Sequence, residues 1–559
     1  MKQLSIFKRL TISTLFLVVF AVTSGFSTAY NVLSGDVNTE SYYRTLEKFS
    51  QNSINSDDLP DWALLDPETD GYEGTRTKKF YKYVESLNLP RSEVIVAVID
   101  SGFDINHPDL KDAIWKNEAE INGLPGVDDD GNGYVDDFNG WNFLGNVKYS
   151  NFEMTREFRR LKNENVPDSD PYLRKVIREM ADERDEVEQT LQGLKQTGDL
   201  VEDAYETLKR AGHPTDPEKL KLVQDDLKGE YKTAANTILT AYMLFGLTKE
   251  DIDQYVKDYT IKEKYLFDTT MANFDYGDNP EILDEKGYGN NNVGVDGETH
   301  GTHVAGIIAA NKDGIGQAPF ARIMPLRGVP NEGDERDKDI GNAIRYAADN
   351  GAHIINMSAG KYFSPHPEYV VDAINYAKEK GVLFVVSAGN EASDIETVIN
   401  YPRKYYREND EIKAFDNMIV VGASTWMKKW NEEMDPENLA NGYDLAAPFS
   451  NYSGTVVDLF APGMEINSTV PDGKYERISG TSMASPEVSG IAAVIKAYFP
   501  HLTPEQMKET LMNSVRKYDG LKVKIQGKSN VEFSKLSKSG GVIDLMNAFE
   551  YARTHFSSN

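Results

Sequence analysis

Three short stretches of this sequence hold residue types that together support acyl transfer. VIDSG contains Asp100, HGTHVAG begins with His300, and SGTSMASP carries Ser482 just after a glycine. A serine hydroxyl becomes a nucleophile when an imidazole takes its proton, and that imidazole needs an acceptor at its other ring nitrogen. Each stretch alone is weak support, because a helix-start serine is most often a cap. Their combination predicts a catalytic triad of serine, histidine and aspartate.

The stretch THGTHV contains two candidate bases, His300 and His303, which are three residues apart. Two histidines on one helical turn also suggest a metal site, but zinc proteases place them four apart with glutamate after the first. A metalloprotease is therefore the weaker alternative. We expect His300 to lie outside the following helix and to act as the base. We expect His303 to point back into packing or into a hydrogen bond within that helix.

An acyl-transfer site also needs hydrogen-bond donors for the oxyanion. SAGNE places Asn390 just past an apolar run. The start of the helix that carries Ser482 offers backbone N–H groups and the positive end of the helix dipole. An asparagine after glycine is usually a turn residue, so this prediction also depends on the combination of motifs.

The elements that must position these residues alternate between strands and helices from about Pro90 onward. The apolar strand candidates are 94–100, 353–358, 382–389 and 418–424, and the helix candidates are 304–310, 339–350, 369–381 and 486–499. This alternation indicates an α/β fold with a mostly parallel β-sheet and helices on both faces. In such sheets function collects at the carboxyl ends of the strands, where Asp100, Ser358 and Asn390 lie.

Residues 149–285 interrupt this alternation. The segment is charged and poor in strands, with apolar residues at three- and four-residue steps. Asp216 before Pro217 predicts one helix start, and TKED at 248–251 has the spacing of a capping box. We expect a large helical insertion between the catalytic Asp and His, made of two or more antiparallel helices. The insertion is either a solvated appendage or a lid that binds substrate or a partner.

The acidic loop DDDGNGYVDD spaces its oxygen-bearing residues as calcium loops do. The predicted ligands of a structural Ca²⁺ are Asp128, Asp130, Asn132, the backbone carbonyl of Tyr134, and Asp136 or Asp137. Position twelve of the loop is Asn139 instead of the glutamate of an EF-hand, so we predict a variant site. The alternative is a polar turn without an ion.

The N-terminus and the composition limit where the protein acts. Basic residues, an apolar run and small residues ending at Ala29 predict a signal peptide over 1–29. The net charge of -29 argues against nucleic acid as a partner, and the absence of cysteine excludes disulfides and thiol catalysis. We expect a secreted protein, periplasmic or extracellular, with no membrane contact after signal removal and no organic cofactor.

Five stretches, in the order VIDSG, HGTHVAGIIAA, SAGNE, FAPG and GTSMASP, resemble the subtilisin-like serine proteases, or subtilases. The resemblance covers roughly residues 61–145 and 285–555. It implies a serine endopeptidase in which Asp100 orients the base, His300 is the general base and acid, and Ser482 is the nucleophile. It also implies that the amide of Asn390 donates to the oxyanion.

The resemblance further implies where a protein or peptide substrate binds. NMSAG looks like the edge strand on which a substrate lies, with Ser358, Ala359 and Gly360 along the primary specificity pocket. Glu391 and Asn400 would border this pocket. An acid there suggests tolerance for a basic substrate side chain.

Two features depart from the family pattern. Only a short leader, 30–60, separates the signal from the expected catalytic domain over 61–559, so we do not expect maturation by a large propeptide. Glu487 stands where the family commonly has histidine, outside the triad. A catalytically silent subtilase fold whose insertion binds a partner is the alternative to an active endopeptidase.

Overall fold

The computed structural model describes the chain from residue 59 to residue 556, apart from five short gaps and one longer one. The gaps are 246, 271–275, 296, 313, 429–443 and 526–527. The predicted signal peptide and nearly all of the predicted leader therefore lie outside the described residues.

Helices and strands alternate along most of the described chain. The helices are α1 Thr77–Glu85, α2 Glu118–Ile121, α3 Glu153–Asn163, α4 Pro171–Arg210, α5 Pro217–Lys221, α6 Glu230–Phe245, α7 Lys249–Tyr265, α8 His300–Ala309, α9 Asp337–Asp349, α10 Pro367–Glu379, α11 Thr481–Tyr498, α12 Pro504–Asn513 and α13 Leu545–Phe556. Within the described residues, no helix combines the length and the apolar character needed to span a bilayer.

The strands are mostly short and lie mainly outside the segment that interrupts the alternation. They are β1 Ile95–Asp100, β2 Trp141–Asn142, β3 Arg322–Arg327, β4 Ile354–Met357, β5 Leu383–Ser387, β6 Tyr405–Glu408, β7 Glu411–Ala414, β8 Met418–Ser424, β9 Leu459–Pro462, β10 Ile466–Val470, β11 Lys474–Ile478, β12 Arg516–Lys517, β13 Lys522–Ile525, β14 Lys528–Glu532 and β15 Gly541–Val542.

Nine strands form one sheet, in the order β12-β15-β9-β8-β5-β4-β1-β3-β2. All neighbours pair in parallel except β12 with β15. The central strands β4, β5 and β8 are buried along their whole length, as expected for strands covered on both faces. The predicted α/β class with a mostly parallel sheet is confirmed.

Different helices cover the two faces of this sheet. Ala97 and Ile99 of β1 belong to one core cluster with Ile344 of α9 and Ile374 of α10. Because successive side chains of a strand point to opposite faces, Val96 and Val98 face the other way. There α8 packs against β1, and α11 packs against β4, β5, β8 and β9. The residues expected to do chemistry thus come from strand ends and from two adjacent helices.

Residues 154–270 form a compact unit of their own. The 40-residue α4, roughly 60 Å long at about 1.5 Å per residue, packs along α6 and α7. The two predicted helix starts are confirmed: the Asp216 side chain caps α5, and Thr248 with Asp251 forms a capping box at α7. Hydrophobic side chains including Leu208 and Leu239 build the core of this unit. The helical character of the insertion is confirmed, and the unit is shorter at both ends than the predicted 149–285.

Candidate active site

Two of the predicted triad residues contact each other at the end of β1. Asp100 is the last residue of that strand and is 3% exposed, and His300 is the first residue of α8. The Nδ1 atom of His300 lies 2.7 Å from Oδ1 of Asp100. The expectation that His300 lies outside the helix is wrong, because α8 begins at His300. A side chain in a first helical turn still reaches a neighbouring strand end.

Ser482 is the second residue of α11 and is fully buried. Its hydroxyl donates to the carbonyl of Ser358 at 2.9 Å, and the hydroxyl of Ser358 donates to the carbonyl of Ser482 at 3.0 Å. The position at a helix N-terminus directs backbone N–H groups and the positive dipole end toward this point. The start of α11 and the end of β4 are therefore tied together by reciprocal hydrogen bonds.

The side chain of Asn390 is oriented by Thr481. Its Oδ1 accepts from the backbone N–H of Thr481 at 2.8 Å and from the Thr481 hydroxyl at 2.9 Å. Both acceptor contacts fall on the oxygen, so the NH₂ group of the amide is turned away from Thr481. Gly389 has a φ of 98°, and a Cβ there would lie 2.5 Å from Nδ2 of Asn451. The turn that presents Asn390 therefore requires glycine.

The predicted substrate edge follows β4 directly. Ala359 and Gly360 are partly exposed, whereas Ser358 is buried. A Cβ on Gly360 would lie 3.0 Å from Oδ1 of Asn400, so Asn400 does stand beside this edge. Beyond it, the backbones of Lys361 and Tyr401 exchange hydrogen bonds of 3.1 and 2.8 Å. The edge is thus held at both of its ends.

The other residue expected near the pocket, Glu391, is exposed and is oriented by a neighbour. Its Oε2 accepts from Nδ2 of Asn451 at 2.5 Å, and the same amide donates to the carbonyl of Ala388 at 2.9 Å. The tolerance of this pocket for a basic side chain stays a prediction.

His303 is fully buried one turn along α8. Its Nε2 lies 3.0 Å from the carbonyls of Ile466 and Glu476, on β10 and β11. Burial lowers the pKa of His303 to about 3, so its ring is neutral and donates its Nε2–H to this hairpin. Of the two expected alternatives, packing is observed, and the hydrogen bond of the ring goes to the hairpin instead of to the helix. The rings of His300 and His303 contact different partners and do not point toward a common metal site.

Sequence reasoning missed Glu298, two residues before His300. This residue is 1% exposed, and its Oε1 accepts from the hydroxyl of Ser101 at 2.6 Å. The same hydroxyl lies 3.1 Å from Oδ1 of Asp100. A second carboxylate therefore lies one hydroxyl group away from the predicted triad. The only signal in the sequence was an acid immediately before the histidine motif.

Glu487 lies deep in α11, five residues after Ser482, and is fully buried. Its Oε2 accepts from Nε2 of Gln317, which also contacts the hydroxyl of Thr75 at 3.0 Å. Burial raises the pKa of Glu487 to about 8. Glu487 is therefore a neutral acid at neutral pH, paired with the neutral amide of Gln317.

The acidic loop brings together a set of carboxylates that differs from the predicted ligand set. One carboxylate oxygen each from Glu120, Asp130 and Asp137 lies within 4.8 Å of the others. Oxygen donors of this type fit a hard cation such as Ca²⁺. Asp130 and the alternative Asp137 were predicted. Glu120 was missed, because it lies on α2, outside the loop motif.

The other predicted ligands bind backbone N–H groups of the loop itself. Asp128 accepts from three of them, those of Gly131, Asn132 and Gly133, at 2.8 to 3.1 Å. Asn132 accepts from the N–H of Tyr134 at 2.8 Å, and Asp136 from that of Gly126 at 2.8 Å. These contacts shape the loop. Binding of an ion by these same side chains and by the carbonyl of Tyr134 stays a prediction.

Residues 91–532, most of the chain, match the sequence model described as the subtilase family. The chain is 40% identical over 205 residues to a thermophilic serine proteinase of Bacillus sp. strain AK1, covering 36% of this chain and 43% of that protein. It is 34% identical to subtilisin BL of Lederbergia lenta, covering 39% of this chain and 71% of the relative. It is 32% identical to a cell wall-associated protease of Bacillus subtilis strain 168, covering 50% of this chain and 30% of the relative. The chain thus matches less than half of the first and third of these proteins.

Proposed function

Because this chain belongs to the subtilase family, we propose that it is a serine endopeptidase that cleaves proteins or peptides with Asp100, His300 and Ser482. The contact of 2.7 Å between His300 and Asp100 is the observation that carries the proposal. It joins the end of a buried strand to the start of α8, and α11, which packs against α8, presents Ser482 in its own first turn.

Each triad residue has one task in this reaction. Oγ of Ser482 attacks the carbonyl carbon of the scissile peptide, and its proton passes to Nε2 of His300. Asp100 accepts from Nδ1–H, which fixes the tautomer and stabilises the imidazolium. His300 then gives the proton to the leaving amine, and an acyl-enzyme remains. A water molecule, deprotonated by His300, releases the acid and restores Ser482.

The developing oxyanion needs donors placed before the reaction begins. The NH₂ group of Asn390 supplies one donor, because its oxygen is already occupied by Thr481. The backbone N–H groups at the start of α11 supply others. Preorganised donors of this kind are effective because they need no reorganisation as the charge forms.

The segment Ser358, Ala359 and Gly360 is the proposed binding edge for the substrate backbone. An extended peptide can add to such an edge as a further strand, with affinity from main-chain hydrogen bonds. The reciprocal hydrogen bonds between Ser358 and Ser482 support this role, since they fix the position of the proposed nucleophile relative to the substrate-binding edge.

A calcium ion bound by Glu120, Asp130 and Asp137 is proposed to stabilise the domain. Asp128, Asn132, Asp136 and the carbonyl of Tyr134 complete the candidate ligand set from the loop. The carboxylates of the cluster lie on α2 and at two points of the loop, so an ion there would cross-link separate segments of the chain. Its role is structural, and no catalytic step passes through it.

Secretion and a binding role for the insertion complete the proposal. The signal sequence over 1–29 supports export, and one relative is described as cell wall-associated. In the 154–270 unit, Leu222 and Leu200 are 83% and 56% exposed. Single exposed leucines are common on protein surfaces, so the binding role is proposed from the place of the insertion in the chain, between Asp100 and His300.

The proposed function is tested by hydrolysis of an unstructured protein such as casein. The wild type should release peptides, Ser482→Ala should not, and the matched control Ser489→Ala, on the same helix, should. Hydrolysis that survives in Ser482→Ala but stops with a chelator would favour the metalloprotease. No hydrolysis by folded wild type would favour the silent fold.

A further inference from the structure

The catalytic Asp100 has a second acidic side chain behind it. Glu298 is buried, and the hydroxyl of Ser101 stands between its carboxylate and that of Asp100. We propose that Glu298 is a positioning residue that draws the Ser101 proton away from Asp100 and adds a negative charge beside the triad, which strengthens His300 as a base. This inference rests on the proposed function.

The two distances from the Ser101 hydroxyl decide where its single proton goes. Oε1 of Glu298 is at 2.6 Å, and Oδ1 of Asp100 is at 3.1 Å. A hydroxyl donates one hydrogen bond, and the shorter contact has the length of a charge-assisted one. The Ser101 hydroxyl therefore donates its hydrogen bond to Glu298. Asp100 keeps the backbone N–H of Ser101, at 2.8 Å, and the ring of His300.

Among the residues that the structure describes, Glu298 is held by neutral donors and has no direct ion pair. Its second oxygen accepts from Nδ2 of Asn331, while its first accepts from Ser101. The buried Arg327 orients both donors: it donates to Oδ1 of Asn331 at 3.1 Å and to the carbonyl of Ser101 at 2.8 Å. The negative charge of Glu298 is thus only partly offset by a cation one residue away.

The charged or titratable groups near Glu298 include Asp100, His300 and Arg327. Tyr276 in turn interacts with Arg327, and His303 with His300. Burial lowers the pKa of Arg327 to about 10, and the nearby charge of Glu298 acts in the opposite direction. When His300 takes the proton of Ser482, the imidazolium forms beside Asp100 with Glu298 behind it. Negative charge at that position favours the protonated ring. Loss of Glu298 therefore weakens the base in two ways, since the Ser101 hydroxyl also turns to Asp100.

The test is the pH dependence of kcat/KM for a peptide substrate in wild type, Glu298→Gln and Ser101→Ala. Glu298→Gln should lower kcat/KM by about three- to tenfold near neutral pH. It should also move the acidic limb of the profile to lower pH by roughly half to one unit. Ser101→Ala should leave the acidic limb of the pH profile near its wild-type position, because the Ser101 hydroxyl donates to Glu298 and not to Asp100. A limb that stays in place in folded Glu298→Gln would overturn the proposal.

A second comparison keeps the inference open to refutation if Glu298→Gln does not fold. If the Ser101 hydroxyl served Asp100 instead, Ser101→Ala would remove a donor from that carboxylate, and the limb would move to higher pH. That result alone would overturn the proposal. An inactive but folded wild type would instead refute the proposed function, so the two failures are distinguishable.

Discussion

The helices α8 and α11 each carry a first-turn residue of the candidate site and a titratable residue deeper along the same helix. His300 and Ser482 lie in the first turns, beside the ends of β1 and β4. His303 and Glu487 lie further along and are fully buried. In the candidate site, His300 contacts the Asp100 carboxylate and Ser482 contacts the backbone carbonyl of Ser358. In the interior, His303 contacts two backbone carbonyls and Glu487 contacts the side-chain amide of Gln317.

Burial shifts the pKa values of the two deeper residues, His303 and Glu487, in opposite directions, and both shifts favour the neutral form. It lowers the pKa of His303 to about 3 and raises that of Glu487 to about 8, so both are neutral at neutral pH. The side chains proposed to act in catalysis, His300 and Ser482, lie instead at the helix starts. Position along the helix, more than residue type, separates the proposed catalytic histidine, His300, from the buried His303.

The largest expected effect contrasts the two histidines. His300→Ala should lower kcat/KM by at least about 10⁴-fold in a folded protein, because the general base is lost. His303→Ala should keep kcat/KM within tenfold but lower the melting temperature, because the carbonyls of Ile466 and Glu476 lose their donor. Peptide kinetics and thermal unfolding measure both. An equal loss of kcat/KM in folded His300→Ala and folded His303→Ala would contradict the different roles assigned to the two histidines.

Asn390→Ala should lower kcat roughly 10²- to 10³-fold with little change in KM, because its amide acts on the oxyanion of the transition state. Steady-state kinetics on one peptide give both parameters. A rise in KM at unchanged kcat would instead make Asn390 a substrate-binding residue.

Glu487→Gln should stabilise the protein at alkaline pH by a few kcal/mol, on the order expected for a shift of this size. The folded pKa is about 8 and the ordinary value is 4.5, so the unfolded chain loses this proton first. The wild type should therefore lose stability as pH rises from about 4.5 through 8. Stability below this window should not depend on Glu487.

The measurement is urea unfolding between pH 5 and 9. The gap between Glu487→Gln and wild type should widen with pH, whereas Glu379→Gln, an exposed control on α10, should track the wild type. A constant gap at every pH would mean that Glu487 does not carry a buried proton.

Removal of calcium should have the smallest effect of this series. An ion present at about a hundred times its Kd stabilises by roughly 2–3 kcal/mol, so a chelator should lower the melting temperature by a few degrees. Asp130→Asn should abolish this chelator effect. Asp129→Asn is the matched control, since its carboxylate accepts from the N–H of Leu124 outside the cluster. No chelator effect in wild type would contradict the site.

The parallel sheet and the two capped helix starts of the insertion could be predicted because their signals are local. Apolar runs such as 418–424 reappear as buried strands, and the capping residues Asp216 and Thr248 act as their spacing indicates. The order of nine strands could not be predicted, because it depends on packing between segments far apart in the chain.

The candidate site shows the same limit. Asp100 and His300 were found through motifs, whereas the contact of Ser101 with Glu298 joins residues 197 positions apart. Glu120 was missed for another reason, since it lies only 10 positions before Asp130 but on α2, outside the loop motif. The hairpin partners of His303 lie more than 160 positions away. Local spacing predicts which residue types are available, and the fold decides which of them touch.

The most direct test of the account is labelling with a serine-directed fluorophosphonate, followed by mapping of the modified peptide. The account predicts one modified residue, Ser482, with labelling lost in Ser482→Ala and strongly reduced in His300→Ala. His303→Ala should still be labelled. Modification at another serine, or no modification of folded wild type, would contradict a triad built on Asp100, His300 and Ser482.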